Sequence, residues 1–202
     1  DNRTQSKGHT PEGRFQHVKN KVLVALWHRC FRHQQSGGPV LAAQSITSLE
    51  SVLDLAVWLE KHGRTFYEKA EQSATDAGIK ELFGVLAAEE GKHCAIYTDL
   101  YEFYTGKSAE GEELLGEYGM FIQLLIKEIV GALDFEGAQT EEELIARALQ
   151  FEKNTLLYFS EVKPLFRGKA GTIIEAVCRE EKKHIQQLLE RHQLLREQGK
   201  DA

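Results

Sequence analysis

At 202 residues the chain is sized for one large domain, or a domain with a short appendage. Its 42% hydrophobic and 28% charged residues are those of an ordinary globular protein and exclude a disordered tail or a collagen-like rod. The three cysteines, Cys30, Cys94 and Cys178, include no C-x-x-C pair, which excludes a disulfide scaffold, a zinc ribbon and a rubredoxin-type iron site built from them and points to a reducing, cytoplasmic compartment.

The net charge of −6 is unevenly spread. Residues 1–48 carry seven Lys/Arg against two acids, and the remainder 18 against 29. The turn-forming cluster Ser36-Gly37-Gly38-Pro39 marks a change of character. The chain is therefore read as a basic extension over 1–44, with one helix from about Arg14 to His33, and a main domain over 45–202. Docking of the basic helix on the acidic domain or on a neighbouring subunit is the simplest use of its charge, so nucleic acid is not an expected partner. The apolar run Val22 to Trp27 is far below the ~20 residues of a membrane span and is followed by Arg29 and Arg32, which predicts neither a span nor a secretory leader.

From Ser45 onward the pattern is helical. Thr47-Ser48-Leu49-Glu50 and Thr140-Glu141-Glu142-Glu143 both read as capping boxes, where a hydroxyl and a carboxylate satisfy orphan backbone donors. The periodicity predicts helices from about Leu49 to Gln72, Ala77 to Tyr104, Glu141 to Glu161 and Thr172 to Glu197. Between the second and third lie an acidic loop near Ser108–Glu117 and a helical apolar segment, Met120–Leu133, long enough to cross a bundle.

The two helix pairs resemble each other. Trp58-Leu59-Glu60-Lys61 with Phe66-Tyr67 is matched by Gln150-Phe151-Glu152-Lys153 with Tyr158-Phe159. Glu89-Glu90-Gly91-Lys92-His93 is matched by Glu180-Glu181-Lys182-Lys183-His184. Two helical hairpins of one design, joined by a long crossover, predict an all-α four-helix bundle with an extra N-terminal helix.

Four acids stand where core residues belong. Residues three, four and seven apart share a helix face. On that count Glu60 lies among Leu53, Ala56, Gly63 and Tyr67; Glu90 among Phe83, Leu86, Ala87 and Tyr97; Glu152 among Ile145, Ala148, Leu149 and Phe159; and Glu181 among Ile174, Val177, Cys178 and Leu188. A buried carboxylate must shift its pKa or find a cation, and no matching set of core Lys or Arg is present. Two divalent metal ions would neutralise four carboxylates. In each E-x-x-H, Glu90 with His93 and Glu181 with His184, both side chains lie one turn apart on one face and can reach one metal. Carboxylate oxygens with one imidazole per metal suit iron or manganese. Glu68 and Glu161 fall off the stripes and are expected at the surface, as are His62 and His192. Cys94 and Cys178 are expected as small buried hydrophobes.

These segments resemble the rubrerythrin branch of the ferritin-like superfamily over about residues 46–198, through L-E-K…F-Y, A-E-E-G-K-H and R-E-E-K-K-H. The resemblance implies a ferritin-like bundle in which Glu60, Glu90, His93, Glu152, Glu181 and His184 hold two iron ions, with manganese or a mixed pair as alternatives. Glu90 and Glu181 would bridge the ions, and Glu60 and Glu152 would each cap one. It implies pairing of bundles into a homodimer or higher homo-oligomer, and reduction of hydrogen peroxide or oxygen. Tyr67, Tyr97 and Tyr158 are candidates for a second layer that donates hydrogen bonds to the ligand carboxylates or protects against radicals, with core packing and a satisfied hydroxyl as the alternative. The rubredoxin module that feeds electrons to the site in full-length members has no counterpart here, so the donor would be external. Thr155 stands where the family has a further glutamate. The alternatives are a ferroxidase, or a non-catalytic bundle in which metal only stabilises an interaction module.

Overall fold

The computed structural model describes residues 49–105, 117–133, 138 and 140–198. The expected helix over Arg14 to His33, the boundary near Ser36–Pro39, the first capping hydroxyl at Thr47 and the acidic loop lie outside the described residues. Those described form five α-helices, α1 (Leu49–Ser73), α2 (Ala77–Tyr104), α3 (Glu117–Ala132), α4 (Glu141–Val162) and α5 (Gly168–Gln198), with a 3-10 turn at Lys163–Leu165 and no strand among them. None of these helices is long and apolar enough to cross a membrane.

The helices pack as a bundle. Helix α1 lies along α2, α4 lies along α5, α2 meets α5, α1 meets α4, and α3 covers α4. Each turns its apolar stripe inward: Val52, Leu55, Leu59 and Phe66 from α1, Ile79, Phe83 and Leu86 from α2, Ile122 and Ile129 from α3, Ile145, Phe151 and Phe159 from α4, and Ile174, Val177 and Leu188 from α5 are all buried. At ~1.5–3 kcal/mol per fully buried large apolar side chain, this stripe drives assembly.

Local chemistry sets the helix ends. Asp76 is extended and its Oδ1 accepts the Ile79 N–H at 2.9 Å, capping α2. Glu141, the first residue of α4, accepts from the Thr75 and Asp76 amides at 2.6 and 2.9 Å, so the α1–α2 turn is tied to the start of α4. Those backbone donors hold the Glu141 carboxyl below its usual range. Arg191 of α5 pairs with the same Asp76 carboxylate. The Thr140 capping box forms as expected, its two bonds each 3.2 Å. Two starts are displaced: α3 begins at Glu117, three residues before the expected Met120, and α5 at Gly168, four residues before the expected Thr172. Gly168 adopts φ 61°, the left-handed turn glycine allows, and a Cβ on Gly171 would lie 2.5 Å from the Phe166 carbonyl oxygen. The glycines that read as loop are needed for a tight helix entry.

Candidate metal centre

The six sequence-predicted residues come from four helices and meet in the core. Glu60 is on α1, Glu90 and His93 on α2, Glu152 on α4, and Glu181 and His184 on α5. None is more than 1% exposed. They form two overlapping sets, Glu60, Glu90, His93 and Glu181, and Glu90, Glu152, Glu181 and His184, in each of which one ligand-type atom per residue lies within 4.8 Å of the others. Glu90 and Glu181 belong to both sets, while each remaining pair belongs to one.

Both imidazoles turn Nδ1 into the cluster. His93 Nδ1 lies 2.8 Å from Glu181 Oε1 and 3.5 Å from Glu60 Oε2. His184 Nδ1 lies 3.1 Å from Glu181 Oε2 and 3.5 Å from Glu90 Oε1 and Glu152 Oε1. The rings stack with centroids 5.5 Å apart. Their outer nitrogens contact two acids that the sequence reading did not assign: His93 Nε2 lies 2.9 Å from Glu180 Oε2, and His184 Nε2 lies 2.8 Å from Glu89 Oε2. The only trace of these contacts in the sequence is the doubled acid of each E-E-x-x-H.

Electrostatics make the cluster costly by itself. Burial pushes Glu60, Glu90 and Glu152 well above the usual carboxylate range, and their mutual repulsion adds to it. Burial would raise Glu181 too, but the His184 hydrogen bond and the facing His93 imidazole hold it below that range. Desolvation disfavours charge on the histidines; the facing carboxylates override it, holding His93 up to about 9 and His184 higher still. Even so, both oxygens of Glu60 and of Glu90, Glu152 Oε2, Glu181 Oε1 and His93 Nδ1 are buried without a hydrogen-bond partner. Among the described residues, the only cationic groups paired with the four carboxylates are the two histidines. Converging orphaned oxygens with one imidazole nitrogen per set fit a pair of hard-to-borderline divalent cations.

The flanking residues divide. Tyr67 donates its hydroxyl to Glu152 Oε1. The Tyr158 hydroxyl, expected near the ligands, instead donates to the Val52 carbonyl at 2.8 Å, and the buried Tyr97 hydroxyl has no hydrogen-bond partner while its ring stacks on Phe159 with centroids 4.7 Å apart. Burial and the nearby carboxylates push the Tyr67 and Tyr97 phenols well above their ordinary value. Thr155 is buried, its hydroxyl also unpartnered. Cys94 and Cys178 are buried, and desolvation pushes the Cys178 thiol up to about 11. Glu68 pairs with Arg64 at the surface. His62 and His192, expected exposed, are half-buried: His62 stacks on Trp58 with centroids 3.8 Å apart and bonds the Trp58 carbonyl at 2.8 Å, while His192 lies 3.5 Å from Glu142. Comparison with known proteins finds no matching family model, curated protein or solved structure.

Proposed function

We propose that the chain is a ferritin-like four-helix bundle of rubrerythrin type, holding two iron ions between Glu60, Glu90, His93, Glu152, Glu181 and His184 and reducing hydrogen peroxide or oxygen with electrons from an external donor. The observation that carries this reading is the pair of four-residue sets sharing Glu90 and Glu181, lined by buried donor atoms without partners. The two hairpins, α1 with α2 and α4 with α5, separated by α3, fit the connectivity of such bundles.

Two ferrous ions at this site would supply the two electrons that reduce one peroxide to water. The protein's own residues do the rest. Glu90 and Glu181 belong to both four-residue sets and would hold both cations, while Glu60 with His93 and Glu152 with His184 would each hold one. Four carboxylates balance two divalent charges, so a buried site stays near neutral. The Tyr67 hydroxyl fixes the orientation of Glu152. Phe83, Leu86, Phe151 and Phe159 are fully buried on these helices and limit access to small, uncharged oxidants. The buried thiols of Cys94 and Cys178 suit a reducing, cytoplasmic-type compartment where a donor can recharge the centre.

Stopped-flow absorbance of the iron-loaded protein mixed with hydrogen peroxide tests the reading. Rapid oxidation followed by turnover under an added reductant supports it. Oxidation with release of iron would assign a ferroxidase, and no spectral change would leave a structural metal site.

A further inference from the structure

The outer nitrogens of the two candidate ligand histidines are held crosswise. His93 belongs to α2, yet its Nε2 lies 2.9 Å from Glu180 Oε2 on α5. His184 belongs to α5, yet its Nε2 lies 2.8 Å from Glu89 Oε2 on α2. Each supporting acid directly precedes one of the two shared carboxylates, Glu181 and Glu90. Unlike those carboxylates, the supporting acids reach solvent, with side chains 49% and 35% exposed for Glu180 and Glu89.

A carboxylate oxygen only accepts, so the imidazole must donate from Nε2. In a neutral ring that leaves the Nδ1 lone pair unprotonated and facing the cluster, which is what a metal ligand needs. The arrangement is reciprocal: one turn of α5 gives Glu181 to both positions and orients His93, and one turn of α2 gives Glu90 to both and orients His184.

We propose that Glu89 and Glu180 are positioning residues acting across the helix pair, Glu180 on the cation held by Glu60 and His93, and Glu89 on the cation held by Glu152 and His184. This inference rests on the metal reading above. Each acid governs one position and leaves the other unaffected. What each supplies is an acceptor for the imidazole N–H, so glutamine, whose carbonyl oxygen also accepts, replaces it and alanine does not.

The test is Co2+ titration of the full chain against a competing chelator, with visible absorbance as the readout. The wild type is expected to take up two Co2+. Glu180→Ala and Glu89→Ala each weaken one of the two by about 10–100-fold and leave the other unchanged, and the double variant weakens both. Glu180→Gln and Glu89→Gln stay within a few-fold of wild type. In proton spectra of the Co2+-loaded wild type, two hyperfine-shifted exchangeable imidazole N–H signals are expected, and each alanine variant loses one to solvent exchange. Because both side chains reach solvent, far-UV circular dichroism of all five variants should match wild type. Two Co2+ bound at wild-type affinity in both alanine variants, with both N–H signals kept, would overturn the crosswise roles alone. Equal losses for glutamine and alanine would overturn the acceptor role. A wild type that takes up no Co2+ would overturn this inference together with the metal reading.

Discussion

Tyr67 on α1 donates its hydroxyl to Glu152 on α4, 85 residues away in the chain, and so joins the first hairpin to a candidate ligand of the second. Both side chains are fully buried. Tyr67→Phe keeps the ring and removes the donor, leaving a buried carboxylate oxygen without that bond. The expected cost in chelator-treated protein is about 1–3 kcal/mol by denaturant unfolding. A loss within a few tenths of a kcal/mol would mean that the bond does not hold Glu152.

Gly63 lies one turn after Glu60, where a Cβ would sit 2.5 Å from the Phe151 ring. Gly63→Ala therefore overpacks the wall of the site and is expected to cost about 1–3 kcal/mol, offset only partly by the better helix propensity of alanine. The double variant Gly63→Ala/Phe151→Leu should recover part of the loss, because the smaller side chain vacates the space. Thermal unfolding of Gly63→Ala, Phe151→Leu and the double variant measures the coupling, and strictly additive losses would place the strain elsewhere.

The metal-free protein should lose stability as the solution becomes alkaline. His93 is held up to about 9 in the fold against an ordinary value of 6.5, so the folded chain binds more protons between those values and its stability falls as pH rises through them. The raised carboxyls of Glu60, Glu90 and Glu152 act in the same direction above their ordinary 4.5. Glu181 acts oppositely, losing its contribution only in acid below 4.5. The His93 contribution is on the order of 3 kcal/mol. Bound cations require deprotonated ligands, so the loaded protein should show the reverse slope, gaining stability from pH 6 to 8. Unfolding midpoints across pH 6–9, with chelator and with Fe2+ under anaerobic conditions, check both signs; parallel curves would contradict the shared-site account.

Much of this was legible before any coordinates. A helix from Ala77 to Tyr104 follows from its stripe, and the buried glutamates follow from standing where Leu or Phe belongs. Periodicity assigns a face, and that is enough to bring six side chains inward. It does not say what a residue 100° off that face will meet on the next helix. Glu89 and Glu180 are given no role by periodicity because their partners, His184 and His93, lie across an interhelical contact. Nor does periodicity name the acceptor of the Tyr158 hydroxyl, which is the Val52 backbone 106 residues earlier. Periodicity also misses the early start of α5, where Gly168 takes a left-handed turn and the Phe166 carbonyl leaves no room for a side chain on Gly171.

The most direct test is elemental analysis of the purified chain beside Glu60→Ala, Glu90→Ala and Glu181→Ala. The account predicts two transition-metal ions per wild-type chain, one retained in Glu60→Ala, and fewer than one in Glu90→Ala and Glu181→Ala, because those two side chains belong to both positions. A wild type without bound metal after reconstitution, or shared-carboxylate variants that keep the wild-type count, would contradict it.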